Sequence, residues 1–275
     1  FLLVVFRTIY IQLDVVIISW LVSEEVIGWY SAADSLFSTM LFVPAIFLSA
    51  AFPALSRLHE EKSDKINTLM RKSFDMLMVI SVPIGLGLFV LGDEIVVLLF
   101  GDGFAKSGAV LSIFGIVLIF TYLNMLVGRF LIATNRQRNW TVVMALAAAI
   151  TVPLDFALVP WTQASFGNGA IGGALAFVVT EFGLLVFGIY LLPKSSLDRS
   201  NVWVGVRAIV AGAVMVFVVW QFRDLFIAIP IVLGMVTYLG LSWLFGIVPK
   251  EYVVWLQEMV KDLLVKFRQA HARVG

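Results

Sequence analysis

Cysteine is missing from this sequence altogether, and charge is scarce. The first absence excludes disulfides and thiol chemistry, without naming a compartment. The second is more informative. Charged residues make up 13% of the 275 positions, about half the roughly 25% of an ordinary soluble domain. A soluble protein of this size needs a polar surface, and the material to build one is not here. Only two histidines occur, His59 and His271; both fall in polar segments and share no metal-ligand spacing. No glycine-rich phosphate loop of the P-loop type is present, so nothing points to ATP hydrolysis by this chain. The net charge of +1 specifies no partner, and no nucleic-acid binding is expected.

What the sequence does have is apolar length. It is 61% hydrophobic, with a mean hydropathy of +1.01. A bilayer removes the need for a polar surface, because lipid faces apolar side chains directly. A helix needs about 20 mostly apolar residues to cross roughly 30 Å of hydrocarbon. Eight segments meet that requirement, near 1–22, 29–54, 74–92, 107–133, 139–159, 170–192, 203–221 and 225–246. The expected fold is therefore all-α, a polytopic membrane helix bundle. Residue 1 is Phe inside an apolar run with no basic segment before it. That start is expected of a piece cut from a longer membrane protein, not of a signal peptide.

Orientation follows from the cations. Five (Arg57, Lys62, Lys65, Arg71, Lys72) follow the second segment, and Arg136 and Arg138 follow the fourth. Lys194 and Arg199 follow the sixth, and Lys250, Lys261, Lys266, Arg268 and Arg273 the eighth. The opposite side has Lys106 and Arg223. Fourteen against two puts the cation-rich loops, and with them both chain ends, in the cytoplasm by the positive-inside rule. Trp20, Trp29, Trp140, Trp161, Trp203, Trp220 and Trp243 fall at segment ends, where indoles favour the headgroup region. After Pro249, Val253, Leu256, Val260, Leu263, Leu264 and Phe267 recur at helical spacing with charges between them. Residues 249–275 are expected to form an amphipathic helix on the cytoplasmic interface or on a partner.

Ionisable groups within spans demand a cavity or a partner. Arg7 and Asp14 are seven residues apart, on one face of the first helix, with Tyr10 between them. Ser31, Asp34, Ser35 and Ser38 repeat the device in the second segment. Thr121, Asn124 and Gly128 form a stripe in the fourth, near Arg129, and Glu181 lies in the middle of the sixth. Asp155 sits near the outer end of the fifth. The expectation is a polar cavity lined by Arg7, Asp14, Asp34, Asn124, Arg129 and Glu181. A guanidinium there suits a phosphate or another anion. The carboxylates suit a cation, a proton or sugar hydroxyls. The alternative is that Arg7 and Asp14 are held in interhelical ion pairs that only fix packing. Pro44, Pro53, Pro83, Pro153 and Pro230 add sites where a span can kink.

The run from Asp14 to Asp34, with Gly28 and Tyr30 inside it, resembles the helix–loop–helix of the Wzx-type polysaccharide flippases. These belong to the multidrug/oligosaccharidyl-lipid/polysaccharide exporter superfamily. Pro53 to Arg57, Val97 to Phe104 and Leu131 to Arg136 resemble later motifs of that family in the same order, so the likeness covers about residues 1–195. It implies a second six-helix lobe over 1–195 and two additional helices over 196–248, with a first lobe missing. It further implies export of polyprenyl-pyrophosphate-linked oligosaccharide across the cytoplasmic membrane by alternating access. The implied partners are membrane lipid, the lipid-linked oligosaccharide and that N-terminal lobe. No catalytic chemistry and no cofactor are expected beyond a coupling Na⁺ or H⁺. The alternatives are a cation- or proton-coupled multidrug antiporter of the same superfamily and a noncatalytic scaffold that binds lipid-linked precursors. A membrane enzyme of glycan assembly would need a sizeable external loop with catalytic groups, and the loops on that side are short.

Overall fold

The computed structural model describes residues 15–247. Arg7, Asp14, most of the first expected span and the 249–275 segment lie outside them. Residues 15–21 are helical. Eight further helices follow: α1 (Glu24–Met40), α2 (Phe42–Glu60), α3 (Lys65–Phe100), α4 (Ser107–Ala133), α5 (Gln137–Phe166), α6 (Ala170–Leu191), α7 (Arg199–Gln221) and α8 (Ala228–Leu244). No strand occurs among the described residues. Six units are long and apolar enough to cross a bilayer, with α1 and α2 counted together as Glu24–Glu60; α8 is a shorter apolar helix of 17 residues.

Several helices outrun the apolar windows that announce them, α3 and α5 most of all, whereas α8 falls short of its own. Lys65–Phe100 is continuous over 36 residues, because polar residues at either end of an apolar run do not break a helix. Gly101 does break it, at φ 85°, a conformation that costs only glycine nothing. A kink at Leu91 (φ −112°, ψ 17°) bends α3 before that stop. α5 likewise runs on to Phe166, through Pro153 and Pro160, and ends at Gly167 in the left-handed conformation.

α4 is the post around which the bundle is built. It packs against α1, α2, α3 and α6, and Leu111, Phe114, Leu118, Tyr122 and Leu126 on it are fully buried. Tyr30, Phe37 and Phe177 close on Phe114 with ring centroids 5.2–6.0 Å away, which locks α1 and α6 onto α4. The α3–α4 seam is closer still. A Cβ on Gly85 would collide with the Gly115 carbonyl, and one on Gly115 with the Gly85 carbonyl. Backbones approach this closely in membrane bundles where small residues meet. A second apolar cluster joins α7 and α8 to the outer face of α3 through Val82, Val90, Leu91, Ala208, Ala211, Met215 and Tyr238.

Trp29 and Trp140 depart from the headgroup expectation. Both are buried: Trp29 under the Lys106 ammonium at 4.4 Å, Trp140 against Gly128 and Gly188. Gly128 and Gly188 make room for the Trp140 ring, and both indoles serve as packing. Trp20, Trp161, Trp203, Trp220 and Trp243 are exposed.

Candidate functional site

The polar residues of the spans fall into three places. The first is the outward face of α1. Val26, Trp29, Tyr30, Ala33 and Phe37 point into the bundle, and helical periodicity then turns Ser31, Ser35 and Ser38 outward, where they are exposed. Asp34 sits half-buried on the edge of this stripe. Ser35 and Thr39 direct their hydroxyls to carbonyls of their own helix, Ala32 at 2.8 Å and Ser35 at 2.7 Å. These hydroxyls keep lone pairs for an incoming donor.

The second place is the α4–α6 interface. Asn124 Nδ2 donates to Glu181 Oε2 and to the Glu181 carbonyl, each at 2.8 Å. The Thr121 hydroxyl lies 2.9 Å from Glu181 Oε2 and 3.0 Å from the Val117 carbonyl, with one proton to share between them. All three side chains are buried. In a low-dielectric setting such a carboxylate is tolerable only with donors in place. Asn124 and Glu181, expected on chemistry alone to share a cavity, are thus joined directly to each other.

The third place is the cation-rich end. Arg129 is exposed on the last turn but one of α4, and its guanidinium lies 5.5 Å from the centre of the Phe52 ring on α2. The ring fixes the fork without occupying its N–H donors. At this same end Arg136 donates to the Leu191 carbonyl at 2.9 Å, closing the end of α6. Arg71 pairs with Asp198 at 2.7 Å and donates to the Ser195 carbonyl at 2.6 Å. Asn201 donates to Asp75 at 2.7 Å and caps α7 together with Asp198.

One further group was visible in sequence as an ionisable residue in a span but was not assigned to the cavity. Asp155 on α5 is fully buried, and neither carboxylate oxygen has a partner among the described residues. Thr151, one turn earlier and equally buried, spends its hydroxyl proton on the Ala147 carbonyl at 3.0 Å. No group of three or more His, Cys, Asp or Glu side chains gathers among the described residues.

A helical bundle with six units long and apolar enough to cross a bilayer defines a multi-pass membrane protein. Residues 1–109 match the family model described as polysaccharide biosynthesis protein. The chain is 30% identical over 174 residues to the probable low-salt glycan biosynthesis flippase Agl15 of Haloferax volcanii, covering 62% of this chain and 36% of that one. It is 23% identical over 243 residues to the probable flippase AglR of the same organism (84% and 50%). It is 27% identical over 208 residues to the probable lipid II flippase MurJ of Thermotoga maritima (73% and 42%). The solved lipid II flippase MurJ in its inward closed conformation superposes with a TM-score of 0.71 at 16% identity, over 88% of this chain and 52% of that one. The chain is thus similar to polysaccharide biosynthesis proteins over residues 1–109 and to probable flippases over much of its length. It spans between about a third and a half of the length of the curated relatives it matches.

Proposed function

We propose that this chain is the C-terminal, substrate-facing part of a flippase that carries polyprenyl-pyrophosphate-linked oligosaccharide across the cytoplasmic membrane by alternating access. The observation that carries this reading is the exposed stripe of Ser31, Ser35 and Ser38 beside Asp34 on α1, one limb of a unit long enough to span the bilayer. Hydroxyls and a carboxylate facing lipid would be costly; facing an N-terminal lobe of the same protein, they line a hydrated path suited to sugar hydroxyls. Arg129, over the Phe52 ring with its donors unoccupied by the ring, supplies the planar fork that suits a pyrophosphate. Arg7 would add a second such group. The reading places both ends and the cation-rich loops in the cytoplasm.

Such a carrier needs a driving ion, and Na⁺ or H⁺ is proposed. Among the described residues, Asp155 fits this role, since a buried carboxylate without a partner is stable only when protonated or when a cation sits against it. The flippase reading is preferred to the multidrug antiporter because of the basic groups at the substrate path.

The test uses the full-length protein in liposomes with a fluorescent polyprenyl-pyrophosphate sugar. Arrival of the headgroup in the opposite leaflet is followed for wild type, Arg129→Ala and Arg7→Ala. Flipping by wild type with at least tenfold slower transfer by either variant supports the reading. Absence of flipping, together with ion-driven movement of a soluble cationic drug, overturns it in favour of the antiporter.

A further inference from the structure

A proline inside a helix leaves the carbonyl four residues earlier without its usual donor. In this bundle two such carbonyls are answered by tyrosines, Tyr122 and Tyr238, the bulkiest fully buried side chains among the described residues. Pro44 leaves the Met40 carbonyl open, and the Tyr122 hydroxyl of α4 donates to it at 2.6 Å. Pro83 leaves the Val79 carbonyl open, and the Tyr238 hydroxyl of α8 donates to it at 2.9 Å. A buried carbonyl in a membrane interior needs a donor. A phenol hydroxyl on a neighbouring helix meets that need while tying the two helices together.

The two pairs differ in setting. α3 passes through Pro83 in helical geometry, and its non-helical residue, Leu91, lies two turns further on. Three residues before Pro44 the hydrogen-bond ladder is broken although the backbone stays right-handed helical, with Leu41 at φ −67° and ψ −11°. Leu41 separates α1 from α2, and its N–H turns to the Ser38 carbonyl at 3.2 Å instead of continuing the regular ladder. Beyond this joint Phe42, Val43 and Ile46 are exposed, whereas Leu48 and Leu55 anchor α2 in the core. Tyr122 also stands between Thr121 and Asn124, the two residues that hold Glu181. One turn of α4 therefore carries both the polar cluster and the bond that closes the joint.

We propose that Pro44 and Tyr122 form a releasable hinge latch. The α1–α2 unit bends at Leu41–Pro44 when Tyr122 releases the Met40 carbonyl, and this swings the polar face of α1. Pro83 and Tyr238 form a fixed staple that keeps α8 on α3. The purpose of the swing rests on the alternating-access reading; the existence of the latch does not.

The experiment uses the full-length protein in liposomes, with every cysteine outside this chain replaced and spin labels on Ser31→Cys and Arg57→Cys. Both sites are exposed and lie on opposite sides of the joint, about 39 Å apart along a straight helix. Distance distributions are recorded for the otherwise unaltered protein, Tyr122→Phe, Pro44→Ala, the double variant and Tyr238→Phe, with the melting midpoint followed alongside. Loss of one hydrogen bond in Tyr122→Phe is expected to change the ratio of short to long distances about fivefold. Pro44→Ala restores an N–H for the Met40 carbonyl, so adding Tyr122→Phe in that background is expected to change the ratio less than twofold. Tyr238→Phe is expected to leave the distribution unchanged.

An unshifted Tyr122→Phe overturns the latch. So does an equal shift with and without Pro44, which would mark Tyr122 as packing alone, or a shift of the same size in Tyr238→Phe. Flipping is measured on parallel liposomes that hold the unlabelled protein with Ser31 and Arg57 unaltered. A protein that does not flip but whose distances follow the expected pattern removes the transport reading and leaves the latch standing.

Discussion

Glu181 puts a carboxyl group in the middle of an apolar bundle, and the energetic question it raises is answered by two neighbours on one helix. Removing it takes one acceptor each from the Asn124 amide and the Thr121 hydroxyl, which keep the Glu181 and Val117 carbonyls, and leaves a cavity, so Glu181→Ala is expected to lower stability by about 1–3 kcal/mol. Glu181→Gln, which keeps an acceptor for the Asn124 amide, is expected to lose less than half as much. Thermal denaturation in detergent checks both. Asp155 is the opposite case, a buried carboxylate with no described partner. Asp155→Asn is expected to leave the melting midpoint within a few degrees while abolishing the dependence of flipping on a Na⁺ or proton gradient. Transport that still follows the gradient in this variant would exclude Asp155 as the coupling group. Both carboxylates were legible in the sequence as charges inside apolar runs. Their different fates were not, because helical spacing orders residues on one helix and says nothing about which neighbour faces them or at what depth. For the same reason a buried Trp29 reads in sequence like any indole at the end of a span. What distinguishes it is Lys106, which lies far along the chain but directly over the ring.

At the scale of elements, the spans themselves were plain to read. The fourth, expected over 107–133, is the helix Ser107–Ala133, bounded by polar residues on both sides. The second, third, fifth and seventh were found in place but too short, since an apolar window measures the hydrocarbon crossing and not the helix. The sixth agrees with Ala170–Leu191 to within a residue, and the eighth was expected longer than Ala228–Leu244. The interruption at Leu41 could be suspected from Pro44, but the rescue of the Met40 carbonyl could not, since it depends on a tyrosine 82 residues away. The α3–α4 seam makes a sharper prediction. Gly85→Val places branched methyls against the Gly115 carbonyl, where even a Cβ collides. The two longest-shared helices must then separate, costing about 1–3 kcal/mol or more. A lowered melting midpoint and reduced membrane yield check this. The same change at Gly87, where nothing lies within 4 Å of an added Cβ, is expected to be nearly silent.

For the molecule as a whole, the topology proposed from the distribution of cations can be checked directly. With single cysteines at Lys62 and at Gly103, an impermeant maleimide is expected to reach the first only from the cytoplasmic side and the second only from outside. The reverse pattern would invert the bundle and, with it, the direction assigned to transport. The manner in which α7 and α8 are attached also bears on how the bundle is made. Their strongest polar tie is not along their length but at the first turn of α7. There Arg71 reaches Asp198 and, 124 residues along the chain from it, the Ser195 carbonyl, and Asn201 reaches Asp75. The ribosome must therefore deliver α4, α5 and α6 before this clasp has both its halves. Contacts of such long separation form late, and domains emerge in chain order. The last pair is thus expected to dock onto a body already assembled, so that a nascent chain halted after Leu192 would hold a membrane-inserted bundle awaiting its final two helices.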